Sequence, residues 1–232
     1  MEKDLTILYL TTNRLPEKWV AFHREKLLQA AWHYPIITMS VKPVKLGINI
    51  IQDQPPSKPN IFYQMMRGIR EVETKYIAVV EDDCVYPPEH FTKFRPKDNE
   101  LIYNQHRWSL YTWNPIYSLK NYIRTNATLI APTKLALEML EARFKKFPLG
   151  GEMPLGMCGE LGTYEKSLGL PQYKIVDVKS DIAVVQLDTD FFTVHNPAKE
   201  SVERRHQKKP GVIQAYSIPH WNEATNLTQY FE

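Results

Sequence analysis

The sequence is short of cysteine: its 232 residues hold two, Cys84 and Cys158, far apart and in no metal-ligand spacing. A chain of this length buries a core of normal size and needs no disulfide staple, and the usage suits a reducing cytosol. Long apolar runs are missing as well. The N-terminal "LTILYL", preceded by "MEKD", is too short and too acidic for a signal peptide, and no run approaches a membrane span. Without a secretory signal, the sequons "NAT" and "NLT" read as chance. An excess of either charge is also lacking: the net charge is +3, which permits an anionic partner without demanding one. No repeat, low-complexity tract or linker is visible, so residues 1–232 read as one cytoplasmic domain.

What is there reads as alternating strands and helices. "LTILYL" (5–10) is large and β-branched and ends at the polar "TTNR", which predicts a buried strand. "PEKWVAFHREKLLQAAW" predicts a helix, since Pro16 suits a first turn and Trp19, Phe22, Leu27 and Ala30 fall near helical spacing. "PIITMSV" (35–41) is a second strand, and the proline-bearing "LGINIIQDQPPSKPN" is expected to be irregular. "NIFYQMMRGIREVETK" (60–75) predicts a helix with Ile61, Met65, Ile69 and Val72 on one side. "YIAVV" is apolar throughout and predicts a strand covered on both faces. Beyond it, "NELIYNQHRWSLYTWNP" (99–115) predicts a strand pair, "ATLIAP" a short strand and "TKLALEMLEARFKKF" (133–147) an amphipathic helix. "TYEKSLG" is expected to be a short helix closed by Gly169. "YKIVDV", "IAVVQL" and "FFTVHN" predict strands, and the last forty residues are expected to be irregular. The βαβ opening favours an α/β fold, a mostly parallel sheet with helices on its faces.

"YIAVV" runs straight into Glu81, Asp82 and Asp83. Crowded carboxylates repel, and each resists ionising beside the others. In an open α/β sheet, ligands bind outside the carboxyl ends of the strands. "TTNR" ends a strand there too, so Thr11, Thr12, Asn13 and Arg14 offer hydrogen-bonding groups. The carboxylates suit a hard divalent cation, Mg²⁺ or Mn²⁺. Together they point to a nucleoside diphosphate bridged by the metal. The competing reading is a solvated strand end or a helix N-cap before "PPEHF". "LDTD" (187–190) has Asp-x-Asp spacing as well, but the clean buried strand precedes 81–83, so Asp188 and Asp190 are assigned to a turn.

The pieces "EDDCVYPPEHF", "RWSLYTW", "GELGTYEKSLG" and "VHNPAKES", in that order, span nearly the whole chain. They resemble the GT-A glycosyltransferases, a Rossmann-like nucleotide-binding fold, and more narrowly small phage-type and bacterial members. The first acid here is a glutamate where the family motif is of Asp-x-Asp type. The resemblance implies a nucleotide-sugar donor, a UDP-sugar foremost, bound by residues 1–100, with the acceptor bound by 101–232. It implies metal ligation by Glu81 and Asp83, with His195 as a late further ligand. Asp82, Lys199, Arg204 and Arg205 would join 11–14 in holding the donor. An inverting member needs a base. Glu160, flanked by glycines, is the first candidate, and Glu165 the runner-up. The bland alternatives are a structural histidine at 195 and a helix-start acid at 160.

"NQHRWSLYTWNPIYSLKNYIR" interleaves aromatic and basic residues where acceptor contacts are expected. Arg107, Trp108 and Trp113 are the candidates, although aromatics are more often core. Two acceptor classes stand open. One is double-stranded DNA carrying a hydroxymethylpyrimidine such as 5-hydroxymethylcytosine, which fits a phage-encoded enzyme in a bacterial host cytoplasm and the basic cluster "ERRHQKK" (203–209). The other is a glycan, lipid or small molecule. A non-catalytic nucleotide- or nucleic-acid-binding module is the reading from a different class.

Overall fold

The computed structural model describes residues 3–55, 57–120, 123–188 and 211–231. The chain opens with β1 (Leu5–Leu10), α1 (Glu17–Ala31), β2 (Ile36–Ser40), β3 (Ile48–Ile51), α2 (Lys58–Ile69), β4 (Tyr76–Glu81), β5 (Cys84–Val85) and α3 (Pro88–Thr92). It continues with β6 (Glu100–Asn104), β7 (Arg107–Tyr111), β8 (Tyr117–Leu119), β9 (Leu129–Pro132), α4 (Thr133–Lys146), β10 (Lys174–Val178), β11 (Val184–Asp188) and β12 (Gln214–Ala215). Seven strands form the central sheet in the order β10-β6-β9-β4-β1-β2-β3. All its pairings are parallel except the two made by β9. The α/β expectation of a mostly parallel sheet with flanking helices holds.

Alternation along β1 and β4 sends side chains to two cores. Leu8, Ile77 and Val79 pack under α2 and α4, with Met65 and Leu140. Ile7, Ala78 and Val80 pack under α1 and α3, with Leu27 and Phe91. Each of these side chains is almost wholly buried, and for all but Ala78 such burial stabilises by about 1.5–3 kcal/mol per side chain.

A second sheet has the order β12-β8-β7-β11-β5. Three segments leave the first sheet and enter the second within a few residues: β4 into β5, β6 into β7, and β10 into β11. Both halves of the chain contribute to both sheets.

Three sequence expectations need correction. The stretch around 48–51 is not irregular: it is β3, an edge strand paired in parallel with β2. The prolines that argued against it all follow Ile51. The helix expected at 60–75 is Lys58–Ile69. It starts early because the Ser57 hydroxyl accepts from the Asn60 N–H at 3.2 Å. It ends early because the Glu71 and Val72 N–H groups turn back to Gly68 and Ile69 carbonyls. Its inward face carries Phe62, Met65, Met66 and Ile69, while Ile61 is 43 % exposed. The strand pair expected at 99–115 is two strands in different sheets. "FFTVHN" lies outside the described residues.

Arg143 on α4 and Glu165 form an ion pair whose side chains are wholly enclosed. Arg143 also donates to the Gly159 carbonyl at 3.0 Å, and Glu165 accepts from the Gly162 N–H at 2.8 Å and the Tyr164 N–H at 3.2 Å. Removing one partner of a buried pair strands the other charge and costs about 3–5 kcal/mol. Glu165→Gln and Arg143→Met should each lose stability on that scale in urea unfolding, and the double change Arg143→Met with Glu165→Leu should lose less than the sum.

Candidate active site

Strands β1 and β4 lie side by side, yet the chain leaves them for opposite ends of the sheet. That reversal opens a crevice at their carboxyl ends. A cleft of about 360 Å³ lies there, lined by Thr11, Thr12 and Arg14 after β1, by Glu81, Asp82 and Asp83 after β4, and by Gln52, Asn60, Ile61 and Gln64. Leu10 and Met39 give it an apolar floor.

The turn carrying the acids is held from four sides. The Thr11 hydroxyl donates to Asp82 Oδ2 at 2.5 Å. Trp19 Nε1 reaches from α1 to the Asp82 carbonyl at 2.8 Å. The Glu81 N–H donates to the Tyr86 hydroxyl at 3.1 Å. The Leu187 N–H donates to the Asp83 carbonyl at 2.7 Å. Asp83 also accepts from the Gln186 amide at 3.1 Å and from the Cys84 thiol at 3.2 Å.

All three carboxyls are shifted upward. Burial pushes Glu81 to about 8, with the charges of Asp83, Asp82 and Glu160 adding and Arg107 opposing. Burial pushes Asp82 to about 7, with Asp83 adding and the Thr11 hydroxyl opposing. Asp83 rises through burial and the charge of Asp188, against its bonds from Gln186 and Cys84. The Glu81 carboxylate accepts no hydrogen bond from the described residues.

Among the described residues, no group of three or more His, Cys, Asp or Glu is arranged to hold a metal ion. The donor set nonetheless fits a hard divalent cation. Glu81 and Asp83 bring oxygen ligands whose ionisation is opposed by burial and mutual repulsion, which is the charge a cation offsets. His195, expected as a third ligand, lies outside the described residues, as do Asp190, Lys199, Arg204 and Arg205.

The other expected residues separate into groups. Thr11, Thr12 and Arg14 line the cleft. Asn13 does not: with φ of 54°, it turns its Oδ1 back to accept from the Val41 and Lys42 N–H groups at 2.9 and 2.8 Å. It ties the ends of β1 and β2 together, and asparagine tolerates that left-handed backbone. Glu160 is half-buried in the loop between two 3₁₀ turns, close enough for its charge to act on Glu81. It is not the first residue of a helix. Glu165 sits apart, enclosed with Arg143. Arg107 donates to Gln186 Oε1, and its charge acts on Glu81. Trp108, on the opposite side of the strand, packs edge-on against Tyr117, and Trp113 packs against Tyr111.

Asp188 corrects the sequence reading: it ends β11, accepts from Lys120 at 3.3 Å and adds charge at Asp83. Sequence reasoning also missed Gln186 and the carboxamides Gln52, Asn60 and Gln64. A signal existed for two of them: Asn60 and Gln64 stand at i and i+4, one face of the helix, among residues that are otherwise apolar.

No protein-family model matches the chain. No curated protein matches it either. Solved structures do. The inositol-1-phosphate CTP transferase from T. maritima matches at 10% identity and TM-score 0.48, covering 80% of this chain and 89% of that one. A glycosyltransferase involved in glycosylating the major capsid of PBCV-1 matches at 11% and 0.45, covering 88% and 97%. The mannosyltransferase PcManGT from Pyrobaculum calidifontis, in complex with GDP-Man and Mn²⁺, matches at 11% and 0.46, covering 80% of this chain and 56% of its own.

The raised carboxyls make stability depend on pH. Folded Glu81 and Asp82 keep their protons to about 8 and 7, well above the unfolded carboxylate range. The stability they contribute is complete below about pH 4 and is lost as pH rises through those values. Buried His23 and His90, depressed to about 4 and 3, act the other way, but only below their unfolded value near 6.5. In chelator, the melting temperature should therefore fall between about pH 6.5 and 8.5, and Glu81→Gln should flatten that fall. A melting temperature that holds or rises across this window contradicts the charge balance described.

Proposed function

We propose that this chain is a metal-dependent glycosyltransferase of the GT-A kind, a single domain that moves a sugar from a nucleotide-sugar donor to a hydroxyl acceptor. The observation that carries this reading is the cleft at the ends of β1 and β4, where three raised carboxyls face hydrogen-bonding groups and one open cation, Arg14. Such a site suits a ligand that brings both a divalent cation and an anion. The sequence resemblance gives the same ligand, a sugar nucleotide.

In this reading Thr12 and Arg14 contact the donor. Asp82, held by Thr11 and Trp19, fixes the turn from which its neighbours project. Glu81 and Asp83, with His195, would hold a divalent cation, whose chemistry is to offset the negative charge of a departing diphosphate. Lys199 and Arg205 would add phosphate contacts. Arg107, expected on the acceptor side, is assigned in this reading to the acid turn, where its charge opposes that of Glu81 and it donates to Gln186. Glu160 takes the acceptor proton, and Glu165 holds the loop that carries it. Trp108 and Trp113 remain the acceptor-side aromatics.

Asp83→Asn keeps the shape of the turn and removes one charge. It should abolish Mn²⁺-dependent nucleotide binding in calorimetry while leaving the circular dichroism spectrum unchanged; unchanged Mn²⁺-dependent affinity would overturn the metal assignment. Glu160→Gln should leave donor binding in place and slow transfer by about a hundredfold, the scale of a lost general base. Turnover within a few-fold of the parent would make Glu160 structural.

For the acceptor we propose a hydroxymethylpyrimidine in double-stranded DNA. The support is the phage-type resemblance and the basic cluster at 203–209, which lies outside the described residues. Binding to DNA should weaken steeply with salt, because each phosphate contact releases counterions. Neutralising Lys208 and Lys209 together should flatten that slope and spare sugar-nucleotide hydrolysis. No salt-sensitive DNA binding, together with no sugar on hydroxymethylated DNA, would move the acceptor to a glycan, lipid or small molecule.

A further inference from the structure

One wall of the cleft is a chain of carboxamides with a fixed direction. Arg67 Nη1 donates to Gln64 Oε1 at 3.0 Å. Gln64 Nε2 donates to Asn60 Oδ1 at 2.8 Å. Asn60 Nδ2 donates to Gln52 Oε1 at 2.7 Å. Amide oxygen and nitrogen are assigned from such networks, and this one is pinned twice. A guanidinium only donates, so the amide oxygen of Gln64 must face Arg67. Asn60 Nδ2 also donates to the Gln54 carbonyl, at 3.3 Å, which fixes that amide independently. The chain therefore ends in the Nε2 of Gln52, a donor that no described residue accepts from. Gln52 is 7 % exposed, and the surface it keeps lines the cleft.

Gln52 follows β3, and its N–H is tied to the Ser40 carbonyl at the end of β2 at 2.7 Å. The acids follow β4, three strands away across the sheet. At about 4.8 Å per strand, that separation is about 14 Å, roughly the reach of a nucleoside diphosphate. With the phosphates beside the acids, a base would lie over the apolar floor of Leu10 and Met39, and its edge farthest from the ribose would meet Gln52.

We infer that Gln52, oriented through Asn60 and Gln64 by Arg67, selects a nucleotide base that presents a carbonyl oxygen on its far edge. Uracil and guanine do so; cytosine and adenine present an amine there, which would face a second donor. An unpaired buried donor costs more than a formed bond returns, so the discrimination is larger than one average hydrogen bond. This inference rests on the nucleotide reading of the cleft and deepens it.

The test is calorimetry of the full chain with UDP, GDP, CDP and ADP in Mn²⁺. UDP or GDP should bind at least about tenfold more tightly than CDP and ADP, a difference of about 1.4 kcal/mol. Gln52→Glu keeps the oxygen that Asn60 donates to and turns the free end into an acceptor; it should erase or reverse that ratio. Arg67→Met touches no part of the cleft and should shrink the ratio by releasing the direction of the chain, with the circular dichroism spectrum unchanged. Equal binding of all four, or preference for CDP or ADP, overturns the inference and leaves the nucleotide reading standing. Binding of none overturns both. A ratio unchanged by either substitution removes Gln52 and Arg67 from the selection.

Discussion

Three acids at the end of a buried strand constrain everything around them. Their charges oppose one another and are opposed by burial, so the turn that bears them resists being formed unless its surroundings hold it. The structure supplies that hold from separate directions: a hydroxyl from the end of β1, an indole from α1, a phenol from the segment after β5 and a backbone N–H from β11. Each bond satisfies a backbone or carboxyl group that would otherwise be buried without a partner. The Glu81 carboxylate is left over, without a hydrogen bond from the described residues. A largely enclosed carboxyl without a partner costs stability, and in the proposed reading the divalent cation would supply that partner.

The crossing of the chain between sheets explains how distant residues reach that site. β4, β6 and β10 each run on into a strand of the second sheet within a few residues. The acids sit at the first crossing. Arg107 begins the strand after the second crossing, and Gln186 and Asp188 lie on the strand after the third. The second sheet pairs β11 with both β5 and β7, so those residues are brought level with Asp83. The opposing charge of Arg107 and the orienting amide of Gln186 thus come from strand pairing alone, without a long loop.

The sequence made the frame legible where periodicity was strong. "LTILYL", "YIAVV" and the helix from 133 are long, apolar on the required faces and bounded by clear breaks, and they stand close to where they were expected. β3 was hidden because a four-residue edge strand lies half in solvent and carries no alternation. The acids were legible because charge at the end of a buried strand is unusual in one dimension. Gln52, Gln186 and Asp188 were not, since a lone amide or acid on a strand end gains meaning only through neighbours some tens of residues away. Arg107 and Glu165 were legible as polar residues in the right segments but not in their contacts. Which side of a strand faces a cleft, and whether an acid has a buried guanidinium opposite, are facts of packing.

The Arg143–Glu165 pair bears on how a base would be aimed. A buried ion pair is a weak source of stability, because taking both charges out of water costs about as much as their attraction returns. Its presence here is better explained by what it organises. Arg143 grips the carbonyl of Gly159, and Glu165 grips the N–H of Gly162, so the two residues between, Glu160 and Leu161, are anchored on both sides. Leu161 is further fixed by its carbonyl to the Tyr103 hydroxyl at 2.8 Å. Gly162 takes a φ of 88°, and a Cβ there would meet Leu101 at 2.7 Å, so the backbone is pressed close to β6. Glu160 owes its position to this clamped backbone, close enough for its charge to act on Glu81. A carboxylate carried on a backbone that is tied at both ends is the placement the proposed general base would need.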